Sequence, residues 1–150
     1  MYKKSIVHYM TKVCVDILLC VSIICSVYVP FSKAVIIKYF GFAEKTAGPM
    51  VIILLLSGIL SAYILWQIHV MFKTLLVGTP FIESNVTCFR KIAVASLLIS
   101  IIYSFKCLFA FTLGTVVIVL IFMIACLFAL TLKDLFKQAI HYKDENDLTV

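Results

Sequence analysis

The stretch IAVASLLISIIYSFKCLFAFTLGTVVIVLIFMIACLFALTL, from Ile92 to Leu132, runs for 41 residues with a single charge, Lys106. One helix of that length would measure about 60 Å at about 1.5 Å per residue, twice the roughly 30 Å of a bilayer's hydrocarbon core. The segment therefore folds back as a hairpin. Lys106 and Gly114 bracket the turn and give spans of 92–108 and 113–132. Lys106 then falls in the last turn of its helix, where its stem stays in lipid and its ammonium reaches outward.

Working outward, a second apolar run covers 50–72 behind Pro49, a residue suited to a first helical turn because its missing N–H would be unpaired there anyway. A third covers 13–29, interrupted by Asp16 and closed by Pro30. Runs of this length without two-residue alternation are helices, because lipid offers backbone groups no other partner. The expected fold is all-α, with four transmembrane helices. The composition agrees, with 64% hydrophobic and 13% charged residues against about 25% charged in a soluble domain. Four spans leave about 70 of the 150 residues, in pieces too short for a separate soluble domain. Residues 1–150 therefore read as one membrane domain. Lys3, Lys4 and Lys12 ahead of the first run imitate a secretory leader, but 28–34 carries no small-x-small cleavage pattern, so the run reads as an uncleaved helix.

The cations orient the chain. With the N-terminus inside, Lys3, Lys4, Lys12, Lys73, Arg90, Lys91, Lys133, Lys137 and Lys143 face the cytoplasm, and Lys33, Lys38, Lys45 and Lys106 face out. Nine against four favours both termini in the cytoplasm of a bacterial cytoplasmic membrane. The net charge of +6 is accordingly assigned to topology and anionic headgroups, with no direct nucleic-acid contact. The six cysteines form no C-x-x-C pair and have no histidine at metal-ligand spacing, so neither a disulfide framework nor a cofactor or metal site is expected.

Two cytoplasmic segments carry more pattern than a connector needs. In the loop 73–91, Gly78 breaks the chain, Thr79 is placed to cap a new helix and Pro80 to occupy its first turn. From there Ile82, Val86, Phe89 and Ala93 recur every three or four residues, which predicts an amphipathic helix at the inner interface before the third span. Beyond the fourth span, Leu132, Leu135, Phe136, Ala139 and Ile140 repeat that spacing, so the last helix extends into the cytoplasm as a stalk with a polar tail, 133–150.

Asp16 and His69 fall at similar depth near the inner ends of the first two spans, and a contact between them would be sensitive to protons. The plainer reading pairs Asp16 with Lys12 one helical turn back. Ser57, Gly58, Ser61 and Ala62, then Ser96, Ser100 and Ser104, then Ala125 and Ala129 form small-residue faces; they suit close helix packing better than a conduction path, which needs more buried charge. Asn85-Val86-Thr87 matches a glycosylation sequon that the inner side would leave idle. No nucleophile elbow, zinc-protease, Walker or dinucleotide-binding pattern occurs, and no convergent acid–base set, so an enzyme is not expected.

Gly78-x-Pro80-Phe81-x-Glu83-x-Asn85, then Arg90-Lys91-Ile92, and the ending Glu145-Asn146-Asp147-Leu148-Thr149-Val150 resemble the small bacterial membrane proteins grouped as domain of unknown function 2975. That resemblance covers the whole chain and implies four spans with a GxPF loop after the second. Phe89 stands where leucine is usual, and Ala139 where glycine often follows the last span. The resemblance also implies a partner, a small helix-turn-helix regulator of the Cro/C1 type encoded nearby. Charge offers one way for the two motifs to meet, with Arg90 and Lys91 receiving Glu145 and Asp147; a freely solvated tail is the alternative. The expected function is a non-enzymatic regulatory or accessory membrane protein that binds a cytoplasmic partner and is able to self-associate. The alternative is a small transporter or channel subunit, or a bacteriocin-type immunity protein.

Overall fold

The computed structural model describes residues 6–40 and 44–148. They form α1 (Ile6–Tyr28), a 3-10 turn (Val29–Ser32), α2 (Lys33–Phe40), α3 (Glu44–Val77), α4 (Glu83–Phe109) and α5 (Leu113–Leu148). The chain is all-α, and four stretches, Ile6–Ser32, Ala47–Val77, Glu83–Phe109 and Leu113–Asn146, are long and apolar enough to cross a membrane. It is a multi-pass membrane protein. Leu120, Ile124 and Leu127 on the outside of α5 are all exposed, as lipid-facing side chains are.

The hairpin turn falls where the sequence places it. Thr112 caps α5: its carbonyl accepts from the Thr115 and Val116 amides, at 2.9 and 3.3 Å, and its hydroxyl meets Thr115 Oγ1 at 2.6 Å. Lys106 does not simply reach outward. Its ammonium donates to Thr115 Oγ1 at 3.2 Å and lies 5.6 Å from the centre of the Tyr103 ring, so it ties the two arms together.

Three expectations are corrected. Thr79 does not cap the helix after the loop and Pro80 is not in its first turn: Ile82, in extended conformation, is the N-cap residue and α4 begins at Glu83. The reason lies in the hydrogen bonds that hold Pro80 outside the helix, described below. The amphipathic stretch and the third span do not turn into one another either, since α4 runs unbroken from 83 to 109. Finally, the connection between α3 and α4 is five residues, 78–82, because both helices continue well past their apolar runs. Hydropathy marks where lipid begins; the i to i−4 bonds of a helix do not stop there. At the other end of the array, the segment 33–40 is helical as α2, an element the sequence gives no pattern for.

The helices pack in series: α1 on α3, α3 on α4, α4 on α5. Among the described residues the backbones of α1 and α5, and of α3 and α5, do not approach closely. The row is curved, and its concave seam is drawn on α4 by Asn85, Phe89, Ile92, Ser96, Ile99 and Tyr103, at alternating steps of four and three. Matching stripes on α3 and α5 face the same seam. In the half of the seam remote from the chain ends, Ser22, Ser26 and Val29 of α1 close over it and leave a hollow of about 340 Å3.

Small residues set the closest approaches. A Cβ added to Gly58 would lie 2.5 Å from Ser26 Oγ on α1, so a larger residue there requires that hydroxyl to move, and glycine lets α1 and α3 approach closely with Ser26 in place. The hydroxyls of the seam are spent on helix backbones and neighbouring helices: Ser26 donates to the Ser22 carbonyl, Ser100 reaches Val119 O across the hairpin, and Ser57 meets Tyr103 Oη at 3.3 Å.

Candidate functional site

Gly78 ends α3 with φ +94°, a left-handed conformation that favours glycine. Its amide donates to Leu75 O at 3.1 Å and the Thr79 amide to Thr74 O at 3.2 Å, the paired closure of a Schellman cap. This sends the chain sideways, towards α5. Asn85, 2% exposed, then fixes the loop. Its Nδ2 donates to the Pro80 carbonyl at 2.6 Å and to Thr74 Oγ1 at 2.8 Å, so one amide joins the loop, α3 and α4. Removed from water, these donors lose more from a missing partner than they gain from a made bond, which gives the site its rigidity.

Phe81 completes the loop. Its ring lies 5.2 Å from that of Phe136 on α5, and Phe89 of α4 meets the other side of Phe136 edge-on at 4.9 Å. Such offset and edge contacts contribute about 0.5–1.5 kcal/mol each beyond burial. Two residues that the sequence does not single out, Thr74 and Phe136, are therefore the loop's anchors. Thr74 gives no signal in a single sequence; Phe136 is visible only as one member of an apolar stripe.

Among the described residues no ion pair joins the two motifs. Arg90 and Lys91 are exposed and take part in no ion pair among the described residues. Glu145 pairs with His141, one turn back on α5, at 3.3 Å. It sits nine residues beyond Phe136, about 14 Å further along the helix. Asp147 and Leu148 belong to α5, but their side chains, like all of Thr149 and Val150, lie outside the described residues.

On the other side of the array, Asp16 is brought to His69, as its depth in the chain predicts: Asp16 Oδ1 bonds His69 Nδ1. Lys12 Nζ stands 3.7 Å from Asp16 Oδ2. Both contacts are made, with one carboxylate shared between an imidazole on α3 and an ammonium on its own helix. Trp66 stacks on His69 at 5.7 Å and covers its face. The group fastens the middle of α1 to α3, in the half of the array nearer the loop.

The pattern that defines a family described as a protein of unknown function, DUF2975, matches residues 26–150. The chain belongs to the DUF2975 family. The match takes in both the GxPF loop and the final helix, and starts within the second half of α1. Neither the curated proteins nor the solved structures contain a match to the chain.

Proposed function

We propose that this DUF2975 protein is a non-enzymatic regulatory or accessory protein of the bacterial cytoplasmic membrane, with both termini inside, and that the GxPF loop and the extension of α5 form one surface for a cytoplasmic partner. The observation that carries this reading is the clasp of Phe81 and Phe89 on Phe136. It ties the loop to the extension, at the end of the helices that carries Lys73, Arg90, Lys91, Lys133 and Lys137 in sequence. The α5 segment beyond Lys133 presents Leu135 and Tyr142 exposed alongside charged residues, the mixed face that helix-recognising partners use. A small helix-turn-helix regulator, the partner implied by the family resemblance, is the first to test.

The test is co-purification of the regulator encoded beside the gene with the tagged full-length protein in mild detergent. Replacing Phe81 and Phe136 together by alanine is expected to lower recovery about tenfold, the scale on which truncation of aromatic anchors acts. Undiminished recovery from a correctly inserted double variant would remove this surface from consideration. A second reading, a small transporter, channel subunit or immunity protein, is favoured by the Asp16–His69–Lys12 group, since ionisable residues within spans mark pathways by default. It requires flux or resistance to fall in Asp16→Asn.

A further inference from the structure

α1 is the most lightly held of the four long helices. Among the described residues it packs on α3 and the 3-10 turn, and its buried side chains are Val15 and Ser26. Ser26 marks a packing contact, set by Gly58. Around Val15, the neighbours Val13, Ile17, Leu18 and Val21 are exposed, and lipid tails serve such side chains as well as a second helix does. Apolar burial therefore does little to place the N-terminal part of α1, and the polar contact at Asp16 decides where it lies.

Asp16 is offered two partners. Its Oδ1 bonds His69 Nδ1 on α3, and its Oδ2 stands 3.7 Å from Lys12 Nζ on α1 itself. Of these three types of group, only a histidine ordinarily changes charge between about pH 5 and 8. A protonated imidazole makes a charge-assisted bond to the carboxylate, about twice as strong as a neutral one. It also presents a cation to the indole of Trp66, whose ring centre is 5.7 Å away. When the imidazole is neutral both contacts weaken, while Lys12 stays charged. Asp16 then leaves α3 as half of an ion pair within α1, so no lone charge enters lipid.

Further titratable or charged groups on this side of the two helices are Lys73, exposed one turn beyond His69, and His8 and Tyr9, two turns before Asp16. α4 packs on α3 through Thr74 and Ser57, which lie about 140° and 120° around α3 from His69 at about 100° per residue. Its Glu83, Cys88, Arg90, Lys91, Tyr103 and Lys106 therefore stand beyond α3. Lys33 and Lys38 follow Tyr28, which is about 18 Å along α1 from Asp16.

We propose that His69 is a proton-dependent latch. Its protonated form holds the N-terminal part of α1 on α3; loss of the proton frees that part, which swings about the Gly58–Ser26 contact while Asp16 passes to Lys12. The hold is full at mildly acidic pH and fades as pH rises through the histidine range. The latch does not rest on the partner-docking reading, and it requires no transported substrate.

The test is pulsed electron paramagnetic resonance of the full-length protein in nanodiscs, with spin labels on Met10→Cys and Val77→Cys and the native cysteines replaced. Both sites are exposed. A second pair, Val27→Cys with Ile59→Cys, reports the Gly58–Ser26 end. The first pair is expected to show one short distance at about pH 5.5 and a longer population that rises about tenfold by about pH 8.5, while the second pair stays unchanged. His69→Arg, permanently charged, should hold the short distance at both pH values, and His69→Gln should show the same mixture at both. Lys12→Gln removes the second partner and should keep the short distance to higher pH. A first-pair distance that ignores pH, or a pH response that survives in His69→Gln, overturns the proposal. Should the histidine variants fail to fold, unlabelled wild type gives a second readout through its single tryptophan. Trp66 emission that titrates with the same midpoint as the distance supports the latch, and emission that ignores pH overturns it.

Discussion

Single residues decide how close these helices come and where the loop sits. Asn85 matches a glycosylation sequon in sequence, and nothing local announces its work, because its partners Thr74 and Pro80 are brought to it by the turn of the chain. Asn85→Ala leaves the Pro80 carbonyl and Thr74 hydroxyl without their donor and is expected to cost about 1–3 kcal/mol, read as a lower thermal midpoint in detergent. At Gly58 the prediction is a cycle. Gly58→Ala pushes on Ser26 Oγ and destabilises, whereas adding Ser26→Ala removes the obstructing atom, so the double variant should recover most of the loss. Simple additivity in denaturation measurements would contradict the close approach. Asp16 and His69, by contrast, are legible in sequence, since a charge within an apolar run advertises itself and antiparallel neighbours put equal depths together.

Among elements, the four spans are readable from hydropathy and the ends of the helices are not. α5 shows why: its apolar character fades after Leu132, yet the i to i−4 bonds carry it to Leu148. The sixteen residues from Lys133 to Leu148 carry the helix about 24 Å beyond the end of its apolar run. The same blindness moved the start of α4, because a proline after a glycine and threonine reads as a helix start until the Schellman cap of α3 claims both of them. Cysteines placed at Gln138 and Tyr142, in a background with the native cysteines replaced, should react with a membrane-impermeant maleimide in inverted vesicles, and a cysteine at Leu127 should not. Protection at 138 and 142 would show that the extension lies along the bilayer instead.

At the scale of the molecule, the row order was hidden from the sequence, because small-residue faces occur on three of the four spans and do not say which face meets which. What the row implies is unequal attachment. α1 holds to the rest through α3 and the turn after it, so Asp16→Asn should raise amide exchange in α1 severalfold while α4 and α5 keep their protection; loss of protection in all four helices at once would mean a single cooperative unit. The hairpin α4–α5 is the most extensively packed pair, and it follows α1 and α3 in the chain. During synthesis α1 and α3 therefore enter the bilayer before the interface that most strongly holds the array exists. The nascent protein spends that interval as a loose pair of helices, with the seam face of α3 open to lipid, and becomes a fixed object only when α5 closes back on α4.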